Sequence, residues 1–163
     1  MDKKQSFLKI AERLNTELNV FPLLYGSLGL QQRTGEELYP DDIDVLIPEV
    51  YLNEKWSSIL SLMNSEGYEL YDLHEHAFSL DGVSVAFAAI ESLEEFAGID
   101  ISAIPFETEN GVQFRLLELH DYLKVYSVSA KDGYRKDKKN KKDTDKIHLI
   151  TQKLSMFNSE NRL

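Results

Sequence analysis

The stretch from Leu23 to Pro48 constrains the fold of this chain more than any other part of the sequence. It begins as an apolar strand, passes through Gly26-Ser27 and a polar loop, and ends in a second apolar strand that carries Asp42 and Asp44. Side chains two residues apart in a strand point to the same face. The pattern therefore predicts two strands joined by a turn and a loop, with two carboxylates side by side on the second strand.

Such a pair of carboxylates is typical of a metal site, because like charges repel unless a cation lies between them. Mg²⁺ suits the pair, since it binds one or two protein carboxylates and completes its coordination with phosphates and water. Gly26 lets the backbone approach a ligand, and Ser27 offers a hydroxyl and an N–H to a phosphate oxygen. The alternative is a plain β-hairpin in which Asp42 is a turn residue and Asp44 an edge-strand charge.

This stretch resembles the signature of the nucleotidyltransferase (polymerase-beta-like) superfamily, in which a Gly-Ser turn is followed by a loop and by Asp-hydrophobic-Asp on the next strand. The lincosamide and aminoglycoside nucleotidyltransferases are the members that it resembles most. The resemblance implies that Gly26 and Ser27 contact phosphates. It also implies that Asp42 and Asp44 are catalytic residues that bind the metal, with Mg²⁺ as the cofactor.

The resemblance extends to a basic segment near the end of the chain. Related enzymes often have a helix bearing Lys, then an Arg and a Lys-Asp pair before the next helix. The matching residue types are Lys124, Lys131, Arg135 and Lys142-Asp143. Since Arg and Lys neutralise the charges of a triphosphate, the resemblance implies that Lys124 and Arg135 bind nucleotide. A solvated basic loop is the open alternative.

A third carboxylate, which the superfamily usually carries on a later strand, is missing from this chain. The corresponding strand is predicted over 83–90, where Ser84 or Ala86 occupies the expected position. Two carboxylates and phosphate oxygens suffice to bind Mg²⁺, but general-base assistance is typically worth about 10²–10⁴ in rate. Asp81 and Glu91 flank the strand and are candidate substitutes.

Hydrophobic periodicity places the remaining elements. Helices are predicted over 2–18, 49–66, 92–97, 118–130 and 143–157, and strands over 20–25, 42–47, 68–72, 75–80, 83–90 and 112–116. Hairpin turns are predicted at Asp81-Gly82 and Asn110-Gly111. The order indicates an α+β fold, a mixed β-sheet flanked by helices, as one nucleotidyltransferase-like domain over 1–163 with a helical C-terminal part at about 118–163.

Charge and composition limit the kinds of partner that we expect the protein to bind. The net charge of −10 argues against nucleic-acid binding by the whole surface. Residues 131–146 nevertheless hold eight Lys and Arg against four Asp, which favours a localised anionic ligand. The absence of Cys excludes a thiolate metal site. No signal-peptide pattern or membrane-length apolar run is visible, so we expect a cytoplasmic protein without a membrane partner.

Two functional hypotheses follow. The first, which we favour, is a Mg-dependent nucleotidyltransferase that moves a nucleotidyl group from a nucleoside triphosphate to a hydroxyl of a small molecule or partner. A chain of 163 residues leaves little room for an acceptor domain, so a homodimer interface is a candidate acceptor pocket. The second is an inactive binding module of the same fold that senses a nucleotide or phospho-metabolite.

Overall fold

The computed structural model describes residues 2–131 and 137–160, with the backbone alone for 137–141 and 158–160. The helices are α1 (Lys3–Leu18), α2 (Gly26–Thr34), α3 (Trp56–Ser65), α4 (Ser92–Ala97), α5 (Leu119–Lys131) and α6 (Asp137–Glu160). The strands are β1 (Leu23–Tyr25), β2 (Asp42–Ile47), β3 (Glu69–Asp72), β4 (Ala77–Leu80), β5 (Val83–Ala89), β6 (Phe106–Glu109) and β7 (Val112–Arg115). The α+β class is confirmed.

One mixed sheet organises the molecule, with the strand order β3-β4-β5-β2-β1-β7-β6. β2 pairs with β1 in antiparallel orientation and with β5 in parallel orientation. The mixed orientation follows from the connections, because a parallel neighbour needs a crossover while an antiparallel one does not. β2 is therefore a central strand with a partner on each side.

Helix α1 begins and covers the sheet as its sequence predicts. The Asp2 carboxylate accepts a hydrogen bond from the Gln5 N–H, and Gln5 in turn accepts one from the Asp2 N–H, which forms a capping box. The apolar stripe of Phe7, Ile10 and Leu14 is at most 1% exposed. These side chains pack in one core with α3 and with one face of β2, β4 and β5.

A second core lies on the other side of the sheet. It is built from α2, α4, α5 and α6 against Leu23 of β1 and Leu46 of β2. Tyr122 of α5 is fully buried in it, and Ile150 of α6 is 0% exposed. This core leaves the first part of β2, where Asp42 and Asp44 lie, outside its apolar contacts.

The prediction of a turn and a polar loop after Gly26 is wrong, because residues 26–34 form helix α2. Two glycines in the nine residues lower the intrinsic helix propensity, and packing compensates for that loss. Leu28 and Leu30 are buried on either side of the helix. A Cβ added to Gly29 would overlap the Tyr122 hydroxyl and the Leu24 carbonyl oxygen, so α2 approaches its neighbours as only a glycine permits.

Other boundaries also differ from prediction. The predicted 49–66 helix is a 3-10 turn at Glu49–Leu52 followed by α3, and β1 begins at Leu23. Both predicted hairpins are present, with φ of +49° at Asp81 and +53° at Asn110, each followed by a glycine. Over residues 2–131 and 137–160, no helix combines the length and apolarity that a bilayer crossing requires.

Candidate functional site

The candidate site lies where β1 ends and α2 begins. Tyr25 is the N-cap residue of α2, but its side chain makes no capping hydrogen bond. The first N–H groups of a helix lack partners within the helix and attract anions. Gly26 and Ser27 occupy this first turn, next to β2. The beginning of α2 can therefore donate backbone N–H groups to a negatively charged ligand.

Gly26 lies directly against Asp44. A Cβ built on Gly26 would overlap the Asp44 Oδ2 atom and lie 3.2 Å from its Cγ. The φ of Gly26 is +63°, a conformation that an L side chain rarely adopts. Both observations require glycine at this position. The Gly-Ser bend and the second carboxylate of the Asp pair are thus in contact, although 18 positions separate them in the sequence.

The two carboxylates of β2 share one face and influence each other. Asp42 is exposed, whereas Asp44 is partly buried. Burial raises the pKa of the Asp44 carboxyl, and the negative charge of Asp42 raises it further. The Lys146 ammonium opposes this rise in the pKa. The site therefore concentrates negative charge that a cation would stabilise.

Tyrosines of the second core, with Tyr25 packed against them, adjoin the Asp pair. Tyr25 is the cross-strand partner of Asp44. The Tyr126 ring is stacked on the Tyr122 ring with centroids 6.1 Å apart. Burial raises the pKa of the Tyr25 and Tyr126 hydroxyls, with a further contribution from the Asp44 charge. Burial raises the pKa of the Tyr122 hydroxyl as well, so all three phenols stay neutral.

Helix α6 brings positive charge next to these tyrosines. The Lys146 ammonium lies 5.1 Å from the centroid of the Tyr126 ring. Asp143 is buried and accepts a hydrogen bond of 2.9 Å from the Ser129 hydroxyl of α5, which joins the two helices. Lys142 and Lys146 are four residues apart and hence lie on one face of α6.

A cleft of about 310 Å³ lies between α6, the beginning of α2 and the segment before β2. Its polar lining comes from Ser27, Asp41, Lys142, Asp145 and Lys146. The rest of its lining comes from Leu38, Tyr39, Pro40 and Leu149. The cleft thus combines charged and apolar side chains in its lining, as sites for small ligands commonly do.

The parallel register of β2 and β5 locates the position of the missing third carboxylate. Asp42 is paired with Ser84, and Asp44 is paired with Ala86. The flanking acid Glu91 follows the far end of β5, where its carboxylate accepts hydrogen bonds of 3.0 and 3.1 Å from the Glu49 N–H. Asp81 lines a different cavity, beside Lys9 and Glu66. The described geometry brings neither acid to the Asp pair.

The predicted basic residues have different positions. Lys124 is exposed on α5 and is not part of the cleft lining. Arg135 lies outside the described residues. Lys142 lines the cleft, and so does Lys146, which the sequence analysis did not single out. Its four-residue spacing from Lys142 is the signal that could have identified it.

A separate acidic group lies at the beginning of α5. Potential ligand atoms of Glu118, His120 and Asp121 all lie within 4.8 Å of one another. Glu118 and His120 are exposed, and the His120 Nε2 is 3.5 Å from a carboxylate oxygen of each acid. Exposed groups of this kind are common without a metal. We assign no role to this cluster.

Comparison with known proteins gives one relative at high sequence identity. The chain is 43% identical over 146 residues to an uncharacterised protein, YnaI, of Bacillus subtilis strain 168. The aligned region covers 90% of this chain and 94% of YnaI. No family model matches the chain. The alignment spans nearly all of both proteins, so the similarity is not limited to the candidate site.

Comparison with solved structures concerns the fold. An antigenic nucleotidyltransferase-like protein from Paracoccidioides brasiliensis matches 90% of this chain and 74% of its own, with a TM-score of 0.65 and 18% identity. The antibiotic-resistance factor ANT(2'')-Ia, crystallised with adenylyl-2"-tobramycin, matches 98% of this chain and 94% of its own, with a TM-score of 0.57 and 13% identity. Its solution structure gives a TM-score of 0.51 at 14% identity, covering 99% of this chain and 97% of that one. The predicted nucleotidyltransferase-like fold is thereby confirmed.

Proposed function

Because this chain belongs to the same family as Bacillus subtilis YnaI and has a nucleotidyltransferase-like fold, we propose that it is a Mg-dependent nucleotidyltransferase. It would transfer a nucleotidyl group from a nucleoside triphosphate to a hydroxyl of a small molecule or partner and release pyrophosphate. The two structural neighbours of the ANT(2'')-Ia type support this reaction class through the fold they share. A homodimer that completes the acceptor pocket stays a prediction.

The contact between Gly26 and Asp44 is the observation that carries the proposal. It brings the uncapped beginning of α2, which attracts anions, against a carboxylate that attracts cations. A ligand that satisfies both must itself combine a cation with an anion. A magnesium-bound triphosphate has this composition. A plain β-hairpin with an acidic entry would not need a glycine packed against one of its acids.

Mg²⁺ suits the donors that the site offers. Asp42 and Asp44 provide carboxylate oxygens, the type of ligand that Mg²⁺ prefers. Burial raises the pKa of Asp44 and the charge of Asp42 raises it further, so the ionised carboxylate is disfavoured and a divalent cation would stabilise it. When bound, Mg²⁺ would neutralise charge on the phosphoryl group that is transferred. These two acids would hold it.

Residues that line the neighbouring cleft, which Asp42 and Asp44 do not line, would have complementary roles. Ser27 would donate its hydroxyl and N–H to a phosphate oxygen. Lys142 and Lys146 would neutralise phosphate charge that the metal leaves uncompensated. Lys124 and Arg135 stay predictions as nucleotide contacts. Ser84 and Ala86 offer no carboxylate to remove the proton of an acceptor hydroxyl, so we expect slow transfer unless the acceptor or a partner supplies a base.

Calorimetric titration with Mg–ATP and Mg–GTP, followed by measurement of pyrophosphate release, tests the proposal. We expect Mg-dependent binding, and Asp44→Asn should weaken it at least about 100-fold, since even outer-shell changes at metal sites cost 10–100-fold. Asp81→Asn is the matched control, because Asp81 is an exposed acid in a turn and Asn tolerates its φ of +49°. Unchanged Mg dependence in Asp44→Asn would contradict the site.

The same measurements separate an enzyme from the binding module. The missing acid on β5 is the observation that favours a module that binds nucleotide without transferring it. Binding of Mg–ATP or Mg–GTP with release of pyrophosphate supports the enzyme. Binding without release, in the presence of candidate hydroxyl acceptors, supports the module for those nucleotides.

A further inference from the structure

Tyr39 is an aromatic residue that the fold does not use for packing. Its side chain is 82% exposed. Its φ is +49°, in the left-handed region that is unusual for a bulky residue. Such a conformation is strained and persists only where the surroundings hold it. An exposed ring on a strained backbone is therefore a candidate contact for a ligand.

The segment that carries Tyr39 is tied down on both sides. The Leu38 N–H donates a hydrogen bond of 2.9 Å to the Gln31 side chain on α2. The Glu36 carboxylate forms an ion pair of 2.7 Å with Lys153 on α6. The Tyr39 N–H itself donates to the Glu37 carboxylate at 2.7 Å. These contacts fix the backbone and leave the ring of Tyr39 available.

Tyr39 belongs to a cleft whose lining is partly apolar and partly charged. Tyr39 lines the cleft together with Leu38, Pro40 and Leu149. The same cleft is lined by Ser27 and by Lys142 and Lys146 of α6, the groups assigned above to the phosphates, and by Asp41 and Asp145. A nucleotide has a charged phosphate end and a flat aromatic base. The cleft therefore offers both kinds of group that a nucleotide needs, an aromatic ring for the base and cations for the phosphates.

We propose that Tyr39 forms the nucleobase subsite, where its ring stacks on the base of a nucleotide whose phosphates lie at Ser27 and the α6 lysines. This inference rests on the proposed function, because it requires a nucleotide in the cleft. Every base has a π-face, so a stacking subsite discriminates weakly among bases. We therefore expect ATP and GTP to bind with affinities within a few-fold of each other.

Calorimetry with two probes tests the subsite: Mg–ATP, which has a base, and Mg–tripolyphosphate, which has none. Stacking on an aromatic side chain is typically worth about tenfold or more in affinity by alanine substitution. We expect Tyr39→Ala and Tyr39→Gly to weaken Mg–ATP binding about tenfold or more and to change Mg–tripolyphosphate binding less than twofold. Tyr39→Phe should retain Mg–ATP affinity. Phe157→Ala is the control, since it removes an exposed ring near the end of α6, outside the cleft lining.

The outcomes separate this inference from the proposed function. Wild-type affinity for Mg–ATP in Tyr39→Ala, or equal losses for both probes, would overturn the subsite and leave the phosphate site in place. A loss in Tyr39→Ala but not in Tyr39→Gly would overturn it too, because the backbone rather than the ring would then be responsible. If the wild-type protein binds neither probe, the proposed function fails and this inference fails with it.

Discussion

The two faces of strand β2 are one residue apart in sequence and opposite in character. On one face, Ile43, Val45 and Ile47 are 0% exposed and pack in the core beneath α1 and α3. On the other face, Asp42 is exposed and Asp44 only partly buried, against the glycine that begins α2. β5 continues both faces, because its residues are paired in register with those of β2.

The difference shows that the residues that stabilise the fold and the residues of the candidate site lie on opposite faces of the same strand. The apolar face can be optimised for packing because no ligand needs access to it. The acidic face holds two like charges together, which is unfavourable in the absence of a cation. The apolar face and the helices behind it hold the strand in place despite that repulsion. Substitutions at adjacent residues of β5 should therefore have opposite kinds of effect.

The largest effect is expected from an acid placed on the apolar face. Val85 of β5 is 0% exposed and belongs to the core under α1. Val85→Asp would bury an unpaired charge, so the free energy of unfolding should fall by about 4 kcal/mol or more. Chemical denaturation measures this change. A loss below 1 kcal/mol would show that this face is not the closed core that its burial indicates.

Gly26→Ala should damage both stability and binding. The added Cβ would meet Asp44 Oδ2, and the left-handed backbone costs an L residue about 1–2 kcal/mol. We expect a loss of about 2–3 kcal/mol in stability and loss of Mg-dependent nucleotide binding. Gly35→Ala is the matched control. Gly35 also has a positive φ, +76°, but a Cβ there would meet nothing within 4 Å, so that variant should lose stability only. Equal binding losses in both variants would contradict a specific contact with Asp44.

Ala86→Asp should have a smaller effect, and it should strengthen Mg²⁺ binding instead of weakening it. Ala86 is paired with Asp44 and is partly exposed, so the variant restores a third carboxylate beside the pair. We expect the affinity for Mg²⁺, measured by calorimetry, to rise about tenfold, which corresponds to about 1.4 kcal/mol. Ala88→Asp is the control, since Ala88 is on the same face but is paired with Leu46. An equal gain in the two variants would indicate general charge attraction instead of a site.

Local patterns were sufficient to predict β2 and its two carboxylates. The strand was predicted over 42–47 and is observed there, because alternating residues bounded by Pro48 define both its ends and its faces. The hairpin turns were predictable for the same reason, since Asp-Gly and Asn-Gly select one turn geometry. The Gly-Ser pair was recognisable in the sequence, but the helix that it begins and its contact with Asp44 are known only from the fold.

Features that depend on distant packing were not predictable. Helix α2 contains glycines that normally lower helix propensity, and one of them, Gly29, packs against the hydroxyl of Tyr122 from a distant part of the sequence. Lys146 reaches the site only because α6 packs on α5, a contact that the helix pattern does not specify. Lys124 matched the family in type, but exposure on α5 separates it from the cleft.

The smallest predicted effect concerns the charge of Asp44 itself, in the protein without metal. The raised pKa of Asp44 means that the fold prefers the protonated acid. This preference for the protonated Asp44 stabilises the fold below the ordinary Asp pKa of about 3.9. The stabilisation is lost as the pH rises through the raised pKa of Asp44. In EDTA, Asp44→Asn should therefore match the wild type near pH 4 and melt at a higher temperature at pH 7. The rise should be a few degrees, since about 1 kcal/mol corresponds to 2–4 °C in a chain of this size.

Excess Mg²⁺ should raise the melting temperature of the wild type but not that of Asp44→Asn, and Asp81→Asn should respond to Mg²⁺ as the wild type does. If Asp44→Asn is less stable than the wild type at pH 7 in EDTA, the Asp44 carboxylate must be stabilised by favourable contacts. The acidic face would then not need the apolar face to hold its two charges together.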